Sequence, residues 1–267
     1  MDERRRFEGE LADEYELITL AYPDFEQFQR GLCDAIREHA RACAPAQAGR
    51  AASLLEIGTG NGFTTDLLLT DFPSMTITTI DNDPSMVRQA RDRFAVDRAG
   101  AAAATPGPPS TPGPPPAMPE RLSIVEADAL EWLSRCDAAS VDVVASAFTL
   151  HNMERDYRDA VEAQILRVLS PGGLFVNADK YAPDGQARFD ALALQVERFF
   201  DAFVPLEKLD LLRSWVVHNI ADQSPRFVMF ERDSVERLRA LGFDSVAVSG
   251  RRNMQAILVA CKATARG

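Results

Sequence analysis

The chain has 267 residues but only four cysteines, Cys33, Cys43, Cys136 and Cys261, and none stand in a C-x-x-C spacing. Scattered thiols exclude a disulfide framework and a cysteine zinc site, and no metal is expected. No apolar run approaches the roughly 20 residues that cross a bilayer, so no membrane partner is expected. The charged start, Met1-Asp2-Glu3-Arg4-Arg5-Arg6, is not followed by an apolar signal core, which predicts a cytoplasmic location. Positive charge is also short. Against 40 Asp and Glu stand 29 Lys and Arg, for a net charge of −11 and a pI of about 4.8. Phosphate neutralisation supplies most of a nucleic-acid binder's affinity, and the arginines here are scattered among carboxylates. Nucleic acid is excluded as a partner.

Apolar residues make up 46% of the sequence, enough to bury the core of one α/β domain with additions. Residues 1–48 read as an N-terminal helical cap. Its stripes are Leu11, Tyr15, Ile18, Tyr22 and then Phe25, Phe28, Leu32, Ile36, at helical spacing. Residues 49–267 form the main domain. Strand-like runs Ser53–Ile57, Thr76–Ile80, Leu122–Glu126, Val141–Ala145 and Leu174–Ala178 alternate with helical Thr64–Thr70, Ser85–Phe94 and Tyr157–Leu169. Such alternation predicts an α/β fold with a doubly wound, mostly parallel sheet. At the end, Asp233-Ser234-Val235-Glu236 resembles a capping box opening a helix, and Gly242 closes it. Phe243–Ser249 and Met254–Lys262 then pair as an antiparallel hairpin around Gly250–Asn253.

Two insertions interrupt the alternation. Residues 99–119 hold half of the 16 prolines and read as a disordered surface expansion rather than a proline-rich ligand. Residues 186–222 read as a helical lid with Phe189, Leu192, Val196, Phe199 and Phe200 on its apolar face. Lid and N-terminal cap are expected to cover a ligand and shape an acceptor pocket. The alternative is a homodimer interface, which aromatic helical faces serve equally well.

The chemistry concentrates at strand ends. Leu54-Leu55-Glu56-Ile57-Gly58-Thr59-Gly60-Asn61-Gly62 runs a buried strand into a glycine-rich turn that opens a helix. A nicotinamide dinucleotide site needs G-x-G-x-x-G, whose third glycine falls here on Phe63. Glu56, just before the first glycine, repels a diphosphate but tolerates a sulfonium and an amino group. Asp81 ends the second strand and can accept both hydroxyls of a ribose. Asp83 caps the helix that starts near Pro84, leaving Asp81 free. Asp128, followed by the Ala129 amide, ends the third strand, where it can read an adenine edge.

Together with Ser170-Pro171-Gly172-Gly173, these motifs resemble the class I S-adenosylmethionine (SAM)-dependent methyltransferase superfamily over residues 50–262. The resemblance implies a Rossmann-like sheet and SAM as cofactor. It places Glu56, Gly58, Thr59, Gly60, Asn61 and Gly62 around the methionine part, Asp81 on the ribose, Asn82 and Met86 beside the adenine, and Asp128 and Ala129 on its edge. Ile80-Asp81-Asn82-Asp83-Pro84-Ser85-Met86, Phe148-Thr149-Leu150 and Asp233-Ser234-Val235 are similar to the carboxy-SAM synthase branch, which carboxylates the sulfonium instead. The chain departs from that branch at Phe25 for its Tyr, at Ala147 for its cofactor-side Asn and at Gln223 for its carboxylate-binding Arg, with Arg226 three residues on. Ordinary methyl transfer to a small-molecule acceptor is therefore expected. Carboxy-SAM synthesis and a non-catalytic SAM-binding protein are the alternatives.

For an acidic acceptor, His151 after the fourth strand is the candidate general base, worth roughly 10²–10⁴ in rate. The competing reading pairs it structurally with Glu154 or Asp156. His218, in the lid, reads as structural and His39 as part of a solvated helix face. Arg251 and Arg252 need no role beyond their hairpin turn.

Overall fold

The computed structural model describes Leu11 and residues 14–42, 52–102 and 120–264. The charged start, Cys43 and, from residue 103 on, the proline-rich segment lie outside these residues.

Parallel strands β1 (Ser53–Ile57), β2 (Thr76–Asp81), β3 (Leu122–Glu126), β4 (Val141–Ala147) and β5 (Leu169–Lys180) join an antiparallel pair, β6 (Phe243–Arg252) and β7 (Gln255–Lys262). The order is β3-β2-β1-β4-β5-β7-β6, the expected doubly wound, mostly parallel sheet with a C-terminal hairpin. Strand runs that alternate their burial between two faces explain the layers. Leu54, Val143, Leu174 and Val176 face α1 (Phe25–Ala42), α2 (Phe63–Asp71) and α3 (Pro84–Ala102). Leu55, Val144 and Phe175 face α4 (Ala129–Arg135), α5 (Arg155–Val168) and α8 (Glu231–Leu241). Each such side chain contributes roughly 1.5–3 kcal/mol by leaving water.

The predicted stripe of α1 is buried at Phe28, Leu32 and Ile36, and it lies on the sheet itself. At Gly31 an added Cβ would stand 2.5 Å from Ile257 Cδ1 of β7, so the helix backbone rests almost on the strand. The 3-10 segment Tyr15–Ala21 packs instead with α6 (Gln186–Phe203) and α7 (Leu209–Ala221) through Ile18, Tyr22, Phe199, Phe203 and Trp215. Lys208 binds Glu14 at 2.5 Å, and Gln195 Nε2 donates to the Ala21 carbonyl at 3.1 Å, tying the segment to this helical pair.

Three local expectations are corrected. Phe189 and Phe200 are 62% and 50% exposed, because the buried stripe of α6 is Ala191, Gln195, Phe199 and Phe203. The 3-10 segment, not aromatic content, sets that register. Helix α8 starts at Glu231 behind an N-cap at Phe230 with no side-chain cap, so Asp233 lies inside the helix. The bridge between Ala182 and Phe230 brings the chain in there and places the start. Strand β5 begins at Leu169, and Ser170-Pro171-Gly172-Gly173 is an irregular stretch of strand whose pairing with β4 shifts register between Val141 and Val143.

Candidate active site

Strand order reverses between β1 and β4, which opens a crevice at their carboxyl ends. The glycine loop fills one side of it. Gly58, at φ +87°, is approached by the exit of β4: a Cβ there would lie 1.9 Å from Thr149 Oγ1. Gly60, at φ +52°, faces open space, with nothing within 4 Å of a Cβ. The two glycines thus answer to different demands, one to packing and one to room for a ligand. Thr59 anchors the loop through its hydroxyl on Thr79 at 2.6 Å, and Gly62 caps α2 in a left-handed conformation.

Glu56 lies beneath this loop, fully buried, rather than at its entrance. Burial pushes its carboxyl up to about 7, although the Thr65 hydroxyl donates to Oε2 at 2.6 Å and works the other way. Oε1 is buried without a partner, and so is Asn61 Nδ2 on the same loop. Orphaned buried polar atoms are costly, so a ligand that satisfies them gains affinity.

Asp83 caps α3 as expected, accepting from the Ser85 and Met86 amides at 2.7 and 3.3 Å. Asp81, expected to be free, is engaged: Oδ2 accepts from the Gly60 amide at 2.8 Å and Oδ1 from the Asp83 amide at 2.9 Å. Burial raises its pKa while those amides lower it, and the balance stays above the ordinary value. Asn82 is exposed and Met86 buried. Asp128 is the N-cap of α4, taking the Glu131 amide at 2.9 Å and the Tyr157 hydroxyl at 2.8 Å, with Ala129 buried behind it. Ala147 is buried at the end of β4, its carbonyl accepting from Thr149 Oγ1 at 3.0 Å. The structure therefore joins Glu56, the loop and Asp81 into one bonded unit, with Asp128 just past the end of β3, the strand beside β2.

His151 is buried in the turn Leu150–Asn152 directly after β4. Its Nδ1 meets Asp179 Oδ1 at 2.6 Å, and its amide donates to Asp179 Oδ2 at 3.3 Å. Its carboxylate partner is neither Glu154, which pairs with Arg226, nor the exposed Asp156. Burial opposes ionisation of Asp179, yet the charge and hydrogen bond of His151 and two backbone amides carry it below the ordinary carboxylate value. The fully buried Arg158 holds this turn, donating from Nη1 to the carbonyls of Leu150, Met153 and Phe227 at 3.4, 3.0 and 3.0 Å.

The next residue of β5, Lys180, is buried and donates to Asp222 Oδ2 at 2.7 Å. Burial opposes the ammonium, but Asp222 more than offsets it and holds Lys180 above an ordinary lysine. His151 Nε2 stands 3.8 Å from the same Asp222 oxygen, and His218 Nε2 stands 3.7 Å from the other. His218 is thus no mere lid filler: it shares this cluster and packs edge-on to Trp215. His151, His218 and Asp222 offer ligand atoms within 4.8 Å of one another, yet the Lys180 ammonium already neutralises Asp222 and opposes a second cation. A small cavity adjoins the cluster, walled by Tyr15, Tyr22, Phe25, Phe148 and Trp215. A second, smaller one lies beyond Lys180 against Gln223 and Met229.

The remaining candidates are structural. His39 is not a solvated face: its Nε2 lies 2.9 Å from the Gly172 carbonyl. Arg251 donates to the Tyr181 carbonyl at 3.0 Å, and Arg252 reaches Asp24 at 3.1 Å. Asp179, Lys180 and Asp222 escaped sequence reasoning, although Asp-Lys closing an apolar run at a strand's carboxyl end was a usable signal.

Residues 55–177 match a family described as a methyltransferase domain. Over these residues the chain is similar to a methyltransferase domain. No curated protein matches the sequence. Among solved structures, the DszA carbon methyltransferase is 16% identical at a TM-score of 0.55, covering 88% of this chain and 54% of that one. The CurJ carbon methyltransferase is 17% identical at 0.52, covering 82% and 50%. Haemonchus contortus phosphoethanolamine N-methyltransferase 2, in complex with phosphomonomethylethanolamine and S-adenosylhomocysteine, is 11% identical at 0.52, covering 86% and 52%. At these identities the likeness is one of fold, and the chain spans about half the length of these structures. Among the described residues, no helix is long and apolar enough to cross a membrane.

Proposed function

We propose that this methyltransferase domain binds SAM and transfers its methyl group to a small molecule, with His151 and Asp179 as a base dyad. The observation that carries the reading is the buried His151–Asp179 contact of 2.6 Å at the carboxyl end of β4, between the glycine loop and an aromatic cavity.

The loop suits the cofactor. Glu56 Oε1 offers an unmet acceptor to an ammonium, and Asn61 Nδ2 an unmet donor to a carboxylate, the two ends of a methionine tail. Asp81 keeps a second lone pair on each oxygen for ribose hydroxyls. When bound, SAM supplies a methyl group on a positively charged sulfur. The protein's part is to position the acceptor, exclude water and take a proton. With Asp179 ionised, Nδ1 of His151 carries the hydrogen and Nε2 carries the lone pair on the cavity side. A proton taken at Nε2 makes an imidazolium whose charge Asp179 balances, the same arrangement that orients catalytic histidines elsewhere.

Methyl transfer is favoured over carboxy-SAM synthesis because, among the described residues, no guanidinium lines either cavity. Gln223 is held by Arg188 at 3.0 Å, and Arg226 sits at the surface against Glu154. The test is release of S-adenosylhomocysteine from SAM with a panel of phenols, amines and carbonyl compounds. His151→Gln and Asp179→Asn are each expected to slow release by about 10²–10⁴ without weakening S-adenosylhomocysteine binding. A protein that binds no S-adenosylhomocysteine, or variants as fast as wild type, would sink the proposal.

A further inference from the structure

Lys180 has no part in the reading above, yet it is a buried ammonium one residue from Asp179 and lies on both cavities. Its Nζ and Nε2 of His151 turn toward one oxygen of Asp222, so cation and base stand side by side at the cavity wall. An ammonium has three donors, and Asp222 engages one of them. Apart from Lys180, His151 and His218, the larger cavity is walled by one aliphatic and five aromatic side chains. In such a dry setting a fixed positive charge acts on developing negative charge far more strongly than in water.

That pairing decides between acceptor classes. An amine acceptor carries no anion for an ammonium to hold, and a neighbouring cation opposes its transition state. A C–H bond beside a carbonyl is too weakly acidic for an imidazole unless the resulting oxyanion is stabilised. We propose that Lys180 is the acceptor-binding cation, and that the acceptor is an aromatic carbonyl compound methylated at carbon through its enolate. This rests on His151 acting as base. The C–H bond breaks, its proton goes to His151 Nε2, and its electron pair becomes the C=C of an enolate whose oxygen Lys180 holds. That carbon then bonds the methyl while the C–S pair returns to sulfur, and the imidazolium loses its proton to solvent.

The test needs no knowledge of the natural acceptor. Calorimetry on the full chain, saturated with S-adenosylhomocysteine, compares 4-hydroxycoumarin, an enolate at neutral pH, with coumarin, which lacks that oxygen. The wild type is expected to bind the enolate roughly tenfold to a hundredfold more tightly, as a charge-assisted hydrogen bond allows. Lys180→Met removes the preference, Lys180→Arg keeps it, and S-adenosylhomocysteine affinity stays unchanged in both. Lys180→Gln, which can still bond Asp222, serves if the methionine variant does not fold, and it too loses the preference. Equal binding of the two probes by wild type, no binding of either, or a preference that survives Lys180→Met or Lys180→Gln overturns the inference alone. A wild type that does not bind S-adenosylhomocysteine overturns the underlying methyl-transfer reading as well.

Discussion

Asp81 offers the sharpest test of the cofactor site, because the structure shows what its carboxylate already does. Oδ2 holds the Gly60 amide at 2.8 Å and Oδ1 the Asp83 amide at 2.9 Å, tying the open side of the glycine loop to the turn before α3. A ribose diol bound through the remaining lone pairs adds two charge-assisted bonds, each worth roughly 1.5–3 kcal/mol. Asp81→Asn keeps one carbonyl oxygen for an amide but turns an NH2 group toward the other donor and removes the charge. It is expected to cost about 2 kcal/mol of binding, about thirtyfold in affinity. Asp81→Ala loses the diol contacts and also releases the loop, so about 3–5 kcal/mol, or roughly 10²–10⁴ in affinity, is expected. Calorimetric titration with S-adenosylhomocysteine measures both, and thermal melting shows that the fold is retained. If Asp81→Ala binds within about threefold of wild type, the ribose does not sit there and the cofactor argument fails.

Other outcomes follow from the same geometry. Glu56, raised by burial from 4.5 to about 7, holds in the folded state a proton that the unfolded chain has released between those values. Its contribution to stability is full below pH 4.5 and is lost as the pH rises through about 7, a loss of about 3 kcal/mol. Denaturant melts across this range should show the decline in wild type but not in Glu56→Gln; parallel curves would contradict the assignment. Arg158→Met removes the donor to the carbonyls of Met153 and Phe227, and a melt should show destabilisation of about 3 kcal/mol; an unshifted midpoint would mean the turn holds without it. Gly58→Ala places a methyl on Thr149 at φ +87° and should cost about 1–3 kcal/mol in the same assay; a neutral result would show that Thr149 moves freely aside.

Much of the fold was legible in one dimension. Runs such as Leu54–Ile57 and Val143–Ala147, apart from Glu56 and Ser146, are apolar on both faces, which suits a covered parallel strand. Element ends were harder to read. The start of α8 follows from the Ala182–Phe230 bridge rather than from Asp233, and the buried stripe of α6 from a segment some 170 residues earlier, whose Ala21 carbonyl bonds Gln195. The glycine loop was readable because glycine spacing and a strand-end carboxylate are local demands of a bent backbone. The disposition of Glu56 was not, since whether a strand residue points under a loop or toward its lip depends on Thr65 across the turn.

The sequence by itself determined the alternation of strands and helices, the tight bend after β1 and the acid closing β2, because each answers to backbone geometry within a few residues. Only the tertiary structure decided what His151 touches. Its partner Asp179 lies 28 residues away, and Lys180 meets Asp222 across 42. Such buried pairs form because a charge withdrawn from water requires a counter-charge, wherever along the chain the fold can supply one.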